Sequence, residues 1–361
     1  MERHKFRNLQ SNIDLSEPER LVMDSLLLTG ATGGLGRQLI YEMTRRDIRP
    51  VCLVREGSNT TYLDSLKLEK RVADLRREDQ LAAAVQGMEV VIHGAAWVNF
   101  RQDKLTQFTG INVFGAVNMY KAAREAGVKR FIHISSIAAV GAIERRHSKD
   151  SSPKALDETA EFNLGHLQIP YILTKHAAEV ELVQLAAQGG PELMIVNPSI
   201  MVAPSKSGDD RGKALKQYGR LLMPSLPNVL NLSDIRDAAS AIVSAIKTGR
   251  PGGRYILGGE NITARELLGK ISLLLGKSPR LVPIPRFVLD LSAQLSLVIH
   301  RFRGVSKLSF YPDLVKILDY DWAYSSEKAK RELGYRPRPL DQTLQDLLTN
   351  NFRGTFLKQA D

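Results

Sequence analysis

A glycine-rich stretch near the start of the chain, residues 29–36, constrains the fold more than any other part of the sequence. It follows an apolar run at residues 26–28 and precedes a segment with apolar residues at helical spacing. A strand, a tight glycine turn and a helix in this order present backbone N–H groups and a positive helix end to a pyrophosphate. The sequence therefore predicts a dinucleotide site at Gly30, Ala31, Thr32, Gly33, Gly34, Leu35 and Gly36.

The three glycines of this turn have different predicted roles. Gly30 allows the turn, Gly33 lets phosphate approach the backbone, and Gly36 lets the helix pack closely on the strand. The G-x-x-G-x-x-G spacing is one residue wider in its first gap than the Rossmann fingerprint.

Further apolar runs predict strands that alternate with helices. They lie at residues 51–54, around 71–73, and at 89–93, 130–134, 193–196 and 254–257. This alternation predicts an α/β fold, a Rossmann-type doubly wound parallel sheet with a smaller, mostly helical C-terminal substrate region. We expect a flexible extension at 1–22, an NAD(P)-binding domain at 23–204 and a mainly substrate-binding region at 205–361, whose strand near 254–257 returns to the sheet.

Composition narrows the class of protein. The chain has 361 residues, a formal net charge of +11 and a single cysteine, Cys52, so it fits a reducing, cytoplasmic setting without internal disulfides. Neither an aromatic-rich basic module nor a zinc spacing suggests nucleic-acid binding, and the scattered histidines match no metal site. We expect a monomer or homodimer that acts on a small-molecule substrate.

Arg55 directly follows the predicted second strand, where a Rossmann unit meets the adenosine ribose. An acidic residue at this point would bind the 2′-hydroxyl, whereas an arginine can pair with a 2′-phosphate. Arg55 favours NADP, and the adjacent Glu56 keeps NAD as the alternative.

Tyr171 and Lys175 lie four residues apart at the start of a predicted helix and share one face. A nearby lysine cation is expected to lower the pKa of the phenol, which could then exchange a proton with a carbonyl or alcohol oxygen. Ser136, at the end of the fifth predicted strand, could orient that oxygen. A second Tyr-x-x-x-Lys, Tyr324 to Lys328, lies far from any such serine, and we expect it at the surface.

Taken together, several motifs resemble those of the extended short-chain dehydrogenase/reductase family. The resemblance runs from about residue 23 to 347 and is closest to the branch of dihydroflavonol reductases, hydroxysteroid dehydrogenases and hopanoid-associated sugar epimerases. The motifs that carry it are the glycine turn, His93-Gly94-Ala95-Ala96, Ser136, Tyr171-x-x-x-Lys175, Asn197-Pro198-Ser199, the segment 254–259 and the segment 328–335.

The resemblance implies roles for individual residues. Ser136, Tyr171 and Lys175 would be the catalytic trio, with Tyr171 and Lys175 also at the cofactor and Lys175 on the nicotinamide ribose. Asn112 matches a helix asparagine of the family whose role stays open. The remaining implied cofactor residues are Asp74, Leu75, Ala95, Asn197, Pro198 and Ser199.

The resemblance also reduces the number of reactions that the protein could catalyse. Family dehydratases carry an Asp-Glu pair after the strand-five Ser or Thr, whereas Ile137 and Ala138 stand here. An epimerase that oxidises, rotates and re-reduces its substrate needs only the trio and stays an alternative, as does a non-catalytic NADP-binding protein. Arg55 favours net hydride transfer between NADP(H) and a carbonyl or alcohol. Ala203 replaces a usual glycine, so the substrate is not inferred.

Residues 285–307 form an amphipathic segment with basic ends. Its apolar residues recur at helical spacing: Phe287, Val288, Leu291, Leu295, Val298, Ile299 and Phe302. Such a helix can cover the substrate pocket, contact a second subunit or lie in a membrane interface. We expect it over the pocket, with peripheral membrane contact as the main alternative.

Overall fold

The computed structural model describes residues 25–98, 105–145, 154–203, 223–225, 228–276, 281–283, 287–292, 294 and 312–349. The extension predicted at 1–22 lies outside these residues, as does most of the amphipathic segment 285–307. The division into domains stays a prediction.

The strands include the apolar runs that the sequence analysis identifies. In chain order they are β1 (Leu26–Thr29), β2 (Val51–Val54), β3 (Lys70–Val72), β4 (Val90–His93), β5 (Arg130–Ile134), β6 (Ile143–Glu144), β7 (Glu192–Pro198), β8 (Ile200–Val202), β9 (Met223–Ser225), β10 (Val229–Asp234), β11 (Arg254–Leu257), β12 (Glu260–Thr263), β13 (Leu281–Pro283) and β14 (Tyr320–Asp321).

Seven of these strands form one parallel sheet in the described part of the chain, in the order β11-β7-β5-β4-β1-β2-β3. The chain winds outward from β1 in both directions, so the order reverses between β1 and β4. In open sheets of this kind ligands bind outside the carboxyl ends of the strands at that switch point. This is the doubly wound Rossmann-type fold that the sequence predicts.

Some helices of the described chain pack on the two faces of this sheet, and others pack against β10 and β12. They are α1 (Gly34–Thr44), α2 (Thr61–Ser65), α3 (Glu78–Ala84), α4 (Leu105–Phe108), α5 (Gly115–Glu125), α6 (Pro170–Ala186), α7 (Ile235–Thr248), α8 (Ala264–Leu274), α9 (Pro312–Lys316), α10 (Glu327–Leu333) and α11 (Leu340–Leu348). One hydrophobic cluster joins the sheet to α1 and α7, and a second joins it to α3, α5 and α6. Both faces are therefore covered, which explains why the central strands consist mostly of apolar residues.

Smaller sheets tie the second half of the chain to the first. Strand β10 pairs in parallel with β8 and antiparallel with β12, while β9 pairs with β13. Strand β14 pairs antiparallel with β6, and Leu156 bridges to Tyr324. Residues 142–168, a charged segment that we call the insertion, are thus fastened, in their described part, to residues 320–325.

Three details differ from the sequence-based expectations. The third strand begins one residue earlier than predicted, at Lys70, and the helical region between β4 and β5, where the alternation predicts one helix, is divided by a π-helical turn, Thr109–Phe114. Tyr324 is not at the surface but 2% exposed, and its hydroxyl donates to the carbonyl of Gly141. The pairing of β14 with β6 carries this tyrosine into the interior, which local spacing does not reveal.

Candidate active site

The turn between β1 and α1 requires glycine at two positions. Gly30 has φ = 75°, and a Cβ there would lie 2.7 Å from the carbonyl carbon and oxygen of Gly94. A Cβ on Gly36 would lie 2.2 Å from the Gly30 oxygen. The turn therefore lies directly against the end of β4, and α1 packs directly against the turn.

The N-terminus of α1 is suited to an anion. Its N-cap residue, Gly33, supplies no side-chain cap, and its first turn holds no acidic residue. The first N–H groups of a helix lack intrahelical partners and carry partial positive charge. A pyrophosphate would satisfy them without competing side chains.

A cleft of about 730 Å³ opens at the carboxyl ends of β1, β2 and β4. The predicted cofactor residues along it are Gly30, Thr32, Gly33, Arg55, Asp74, Leu75 and Ala95. Ala31 and Gly36 are buried in the turn, while Gly34 and Leu35 begin α1. Arg76 and Trp97 also line the cleft, and the sequence reasoning did not single them out.

The outer end of the cleft is rich in charge. Asp74 accepts hydrogen bonds from Arg76 at 2.9 Å (Nε to Oδ1) and 2.5 Å (Nη2 to Oδ2), which lower the pKa of the Asp74 carboxyl to about 2. Arg55 is exposed, and its guanidinium makes no hydrogen bond or ion pair with the residues that the structure describes. Its charge is therefore available to an anionic ligand group.

The three predicted catalytic residues come from β5 and α6. Ser136 directly follows the end of β5, and Pro170 at the first turn of α6 begins the helix that carries Tyr171 and Lys175. The Ser136 side chain lies near enough to Tyr171 to act on its phenol as a hydrogen-bond partner, which lowers the phenol pKa. None of the three lines the cleft described above; they lie at the same edge of the sheet, beyond β4.

The ionisation of these groups differs from the sequence-based expectation. Removal from water raises the pKa of Tyr171, and the hydrogen bond from Ser136 opposes the rise without cancelling it. Burial lowers the pKa of Lys175 to about 8, while the Glu179 carboxylate acts in the opposite direction. The Lys175 ammonium donates to the carbonyl of Ile134 at 2.9 Å. Desolvation thus outweighs the lysine charge that the sequence reasoning invoked for the tyrosine.

Asn112 lies in the π-helical turn and joins two parts of the site. Its Oδ1 accepts from the Trp97 N–H at 2.7 Å, and its Nδ2 donates to the Trp97 carbonyl at 3.1 Å. The same Nδ2 donates to the Thr174 hydroxyl, also at 3.1 Å. Asn112 therefore fixes the loop after β4 to the helix position immediately before Lys175.

The motif Asn197-Pro198-Ser199 follows the same edge of the sheet at the end of β7. The Asn197 side chain is fully buried and donates to the Ser136 carbonyl at 2.8 Å. Its contacts are with the protein rather than with an open cleft, and a role for this motif in binding cofactor stays a prediction.

Thr29 is the hydrogen-bonding centre behind the glycine turn. Its buried Oγ1 accepts from the N–H groups of Gly94 (3.1 Å) and Ala95 (3.0 Å) and lies 3.0 Å from Nδ1 of His93. Since both N–H groups donate to the hydroxyl oxygen, its proton is directed to His93, which then carries its own proton on Nε2.

The next buried histidine, His133, stacks on His93 at a ring distance of 5.6 Å. Neither ring nitrogen of His133 has a hydrogen-bond partner among the described residues. Burial lowers the pKa of His93 to about 3 and that of His133 well below its usual range. Both rings are neutral at physiological pH.

Comparison with known proteins identifies the family. A model of the NAD dependent epimerase/dehydratase family matches residues 26–258, well over half of the chain. The chain belongs to this family. Membership of this family implies that the protein binds NAD(P), and the protein is an enzyme of the extended short-chain dehydrogenase/reductase type, as the sequence motifs predict.

Curated relatives of this epimerase/dehydratase-family protein have several names. A putative dihydroflavonol 4-reductase of Synechocystis is 30% identical, with 90% of this chain and 93% of the relative covered. The sterol demethylase protein B of Methylococcus capsulatus is 28% identical, with 86% and 93% covered. The UDP-glucose 4-epimerase of Vibrio cholerae is 27% identical, with 91% and 94% covered.

Solved structures share the fold over nearly the whole chain. The crystal structure of gox2253 matches with a TM-score of 0.73 at 30% identity, covering 91% of this chain and 99% of the other. A nucleoside-diphosphate-sugar epimerase of Pseudomonas aeruginosa matches with a TM-score of 0.67 at 21% identity, covering 93% and 100%. Within the described residues, no helix combines the length and apolar character needed to cross a membrane.

Proposed function

We propose that this protein transfers a hydride between NADP(H) and a carbonyl or alcohol substrate, using Ser136, Tyr171 and Lys175. The observation that carries the proposal is the placement of Ser136, at the end of β5, beside Tyr171, which lies one helical turn from the buried Lys175 ammonium. A proton donor, a group to orient the reacting oxygen and a cation are thereby assembled at one edge of the sheet.

The residues of the cleft fit a dinucleotide. The uncapped N-terminus of α1 would hold the pyrophosphate, and Gly30 and Gly94 leave no room between them for a side chain. The nicotinamide would supply or accept the hydride. Arg55, exposed at the adenosine end, is the group that favours a 2′-phosphate and hence NADP over NAD.

The raised pKa of Tyr171 bears on the direction of reaction. A phenol whose pKa lies above its ordinary value of 10 keeps its proton at neutral pH, so Tyr171 begins as a proton donor. Ser136 would orient the carbonyl oxygen, Tyr171 would protonate it, and the Lys175 charge would stabilise the resulting tyrosinate. This arrangement favours reduction of a carbonyl.

Epimerisation is the second candidate, because a UDP-glucose 4-epimerase is among the relatives. Such a reaction uses the same trio but regenerates the cofactor within each turnover. Reduction of a substrate consumes NADPH, so net oxidation of NADPH identifies it. Epimerisation instead gives a product with an inverted stereocentre and no net oxidation of NADPH. A non-catalytic NADP-binding protein would retain cofactor and produce neither change.

The experiment is a screen of aromatic, steroidal and sugar-nucleotide carbonyl compounds for NADPH oxidation by the purified protein. With an active substrate, we expect Tyr171→Phe to lower kcat by roughly 10²–10⁴-fold while the Kd for NADPH is unchanged, since only the transferable proton is lost. Tyr41→Phe, on the partly exposed side of α1, is the matched control and should be silent. Substantial activity in Tyr171→Phe would mean that another group is the acid.

A further inference from the structure

A buried ion pair lies behind the proposed catalytic residues. Glu179 is on α6, one turn beyond Lys175, and Arg254 begins β11. Their side chains approach to 2.7 Å (Nη2 to Oε2), and the two residues are only 1% and 8% exposed. Buried ion pairs often stabilise a fold no better than apolar residues of the same size, so this pair invites a functional explanation.

Asn197 connects this pair to the loop that carries Ser136. Its Nδ2 donates to Glu179 at 2.6 Å and to the Ser136 carbonyl at 2.8 Å, and its Oδ1 accepts from Arg254 Nε at 3.3 Å. Arg254 Nη2 also donates to the carbonyl of Ala139 at 3.0 Å. The loop after β5 is therefore hydrogen-bonded at two positions, by Asn197 at Ser136 and by Arg254 at Ala139.

The charged groups around Lys175 give the Glu179 carboxylate a second role. His93 on β4 and His133 on β5 are neutral rings, and the Lys175 charge lowers the pKa of each further, so neither compensates that charge. Arg254 on β11 is a further cation. Among the charged groups of the described residues that act on Lys175, Glu179 is the one that favours its protonated form.

We propose that Glu179, Arg254 and Asn197 form a positioning unit that fixes Ser136 against Tyr171 and keeps Lys175 protonated in its buried site. The proposal rests on the proposed hydride-transfer function for its purpose, but its charge component can be measured without any substrate. Arg254, on the sheet, neutralises the charge of Glu179. Asn197 links Glu179 to the backbone carbonyl of Ser136 and so fixes its position.

The charge component is tested on Glu179→Gln, which keeps the shape of the side chain. Competitive acetylation with acetic anhydride at graded pH, quantified for the Lys175 peptide by mass spectrometry, reports the pKa because only the neutral amine reacts. We expect the midpoint, about 8 in the wild type, to fall by roughly one pH unit in the variant. Glu181→Gln, on an exposed position of the same helix, should leave it unchanged.

An unchanged Lys175 midpoint in folded Glu179→Gln would overturn the charge component. If that variant does not fold because Arg254 is left unpaired, Glu179→Gln/Arg254→Met removes both charges, and a smaller fall in the midpoint is expected, because the loss of the Arg254 cation by itself raises the Lys175 pKa. Failure of the proposed hydride-transfer function would give a different result. The wild-type protein would then show no turnover, while its Lys175 midpoint would still shift in Glu179→Gln.

The geometric component is tested on Arg254→Lys, which retains the positive charge beside Glu179. A single ammonium cannot contact Glu179, Asn197 and the Ala139 carbonyl together in the planar arrangement of a guanidinium. We expect kcat to fall roughly tenfold with the KM for NADPH and the Lys175 midpoint unchanged. Wild-type kcat in Arg254→Lys would show that Ser136 does not depend on this contact.

Discussion

Replacing Thr29 by valine tests how the cofactor cleft is held in place. Valine has nearly the shape of threonine but lacks the hydroxyl, so the substitution removes three hydrogen bonds without opening a cavity. The groups left without this partner are the N–H of Gly94, the N–H of Ala95 and Nδ1 of His93.

The expected loss of stability follows from the burial of these groups. His93 is 1% exposed, so its unsatisfied nitrogen should cost about 1–3 kcal/mol, whereas Gly94 and Ala95 are half-buried and should cost less, since water can reach them. We expect Thr29→Val to lower the free energy of unfolding by about 2–4 kcal/mol. Because Gly94 and Ala95 line the cleft, NADPH binding should weaken as well.

Urea denaturation at neutral pH measures the first effect, and fluorescence titration with NADPH measures the second. Thr29→Ser is the matched control, because it keeps the hydroxyl and removes only a methyl group, and it should stay closer to wild type in both assays. If the valine variant unfolds at the same urea concentration as the serine variant, the hydroxyl does not organise the cleft and the reasoning fails.

Three further predictions follow from the charges and the exposed surface. Arg55→Ala should weaken NADPH binding by about 1–3 kcal/mol and leave NADH binding nearly unchanged, and equal losses for both would remove the 2′-phosphate role. His93 and His133 have pKa values lowered from about 6.5, so the unfolded chain binds more protons in acid, and their stabilising contribution is present above pH 6.5 and lost as pH falls. Each should add about 1.4 kcal/mol per pH unit to the slope of unfolding free energy below about pH 6, and His133→Phe should roughly halve their joint slope in urea titrations. Phe287 and Leu291 are 69% and 63% exposed, so Phe287→Glu/Leu291→Glu should change the unfolding free energy by less than about 0.5 kcal/mol, and wild-type protein that stays in the supernatant with anionic vesicles at low salt would exclude the membrane alternative.

The parts of the fold that could be predicted from the sequence are those that local pattern determines. Strands Val51–Val54 and Arg130–Ile134 have the predicted bounds, because a short apolar run is typical of a strand buried on both faces. The glycine turn could be predicted equally well, because the residues that form it are eight consecutive positions of the sequence.

The features that could not be predicted depend on contacts between distant parts of the chain. The burial of Tyr324 follows from the pairing of β14 with β6, some 180 residues earlier in the chain. The direction of the Tyr171 pKa shift depends on desolvation, which the Tyr-x-x-x-Lys spacing does not encode. Likewise, nothing in the sequence around Thr29 indicates that its hydroxyl meets the loop after β4.

Strand β11 shows how the second half of the chain can influence the chemistry of the first. Arg254 at its start contacts the Ser136 loop, while the N–H of Ile256 donates to the half-buried Glu158 carboxylate of the insertion at 2.9 Å. The N–H of Gly258, just past its end, donates to Ser326 at 2.8 Å. The insertion, the C-terminal segment and the loop that orients Ser136 are thus attached within five residues of one edge strand. A change in the insertion that displaces Glu158 would therefore reach the Ser136 loop through β11, even without touching the proton donor itself.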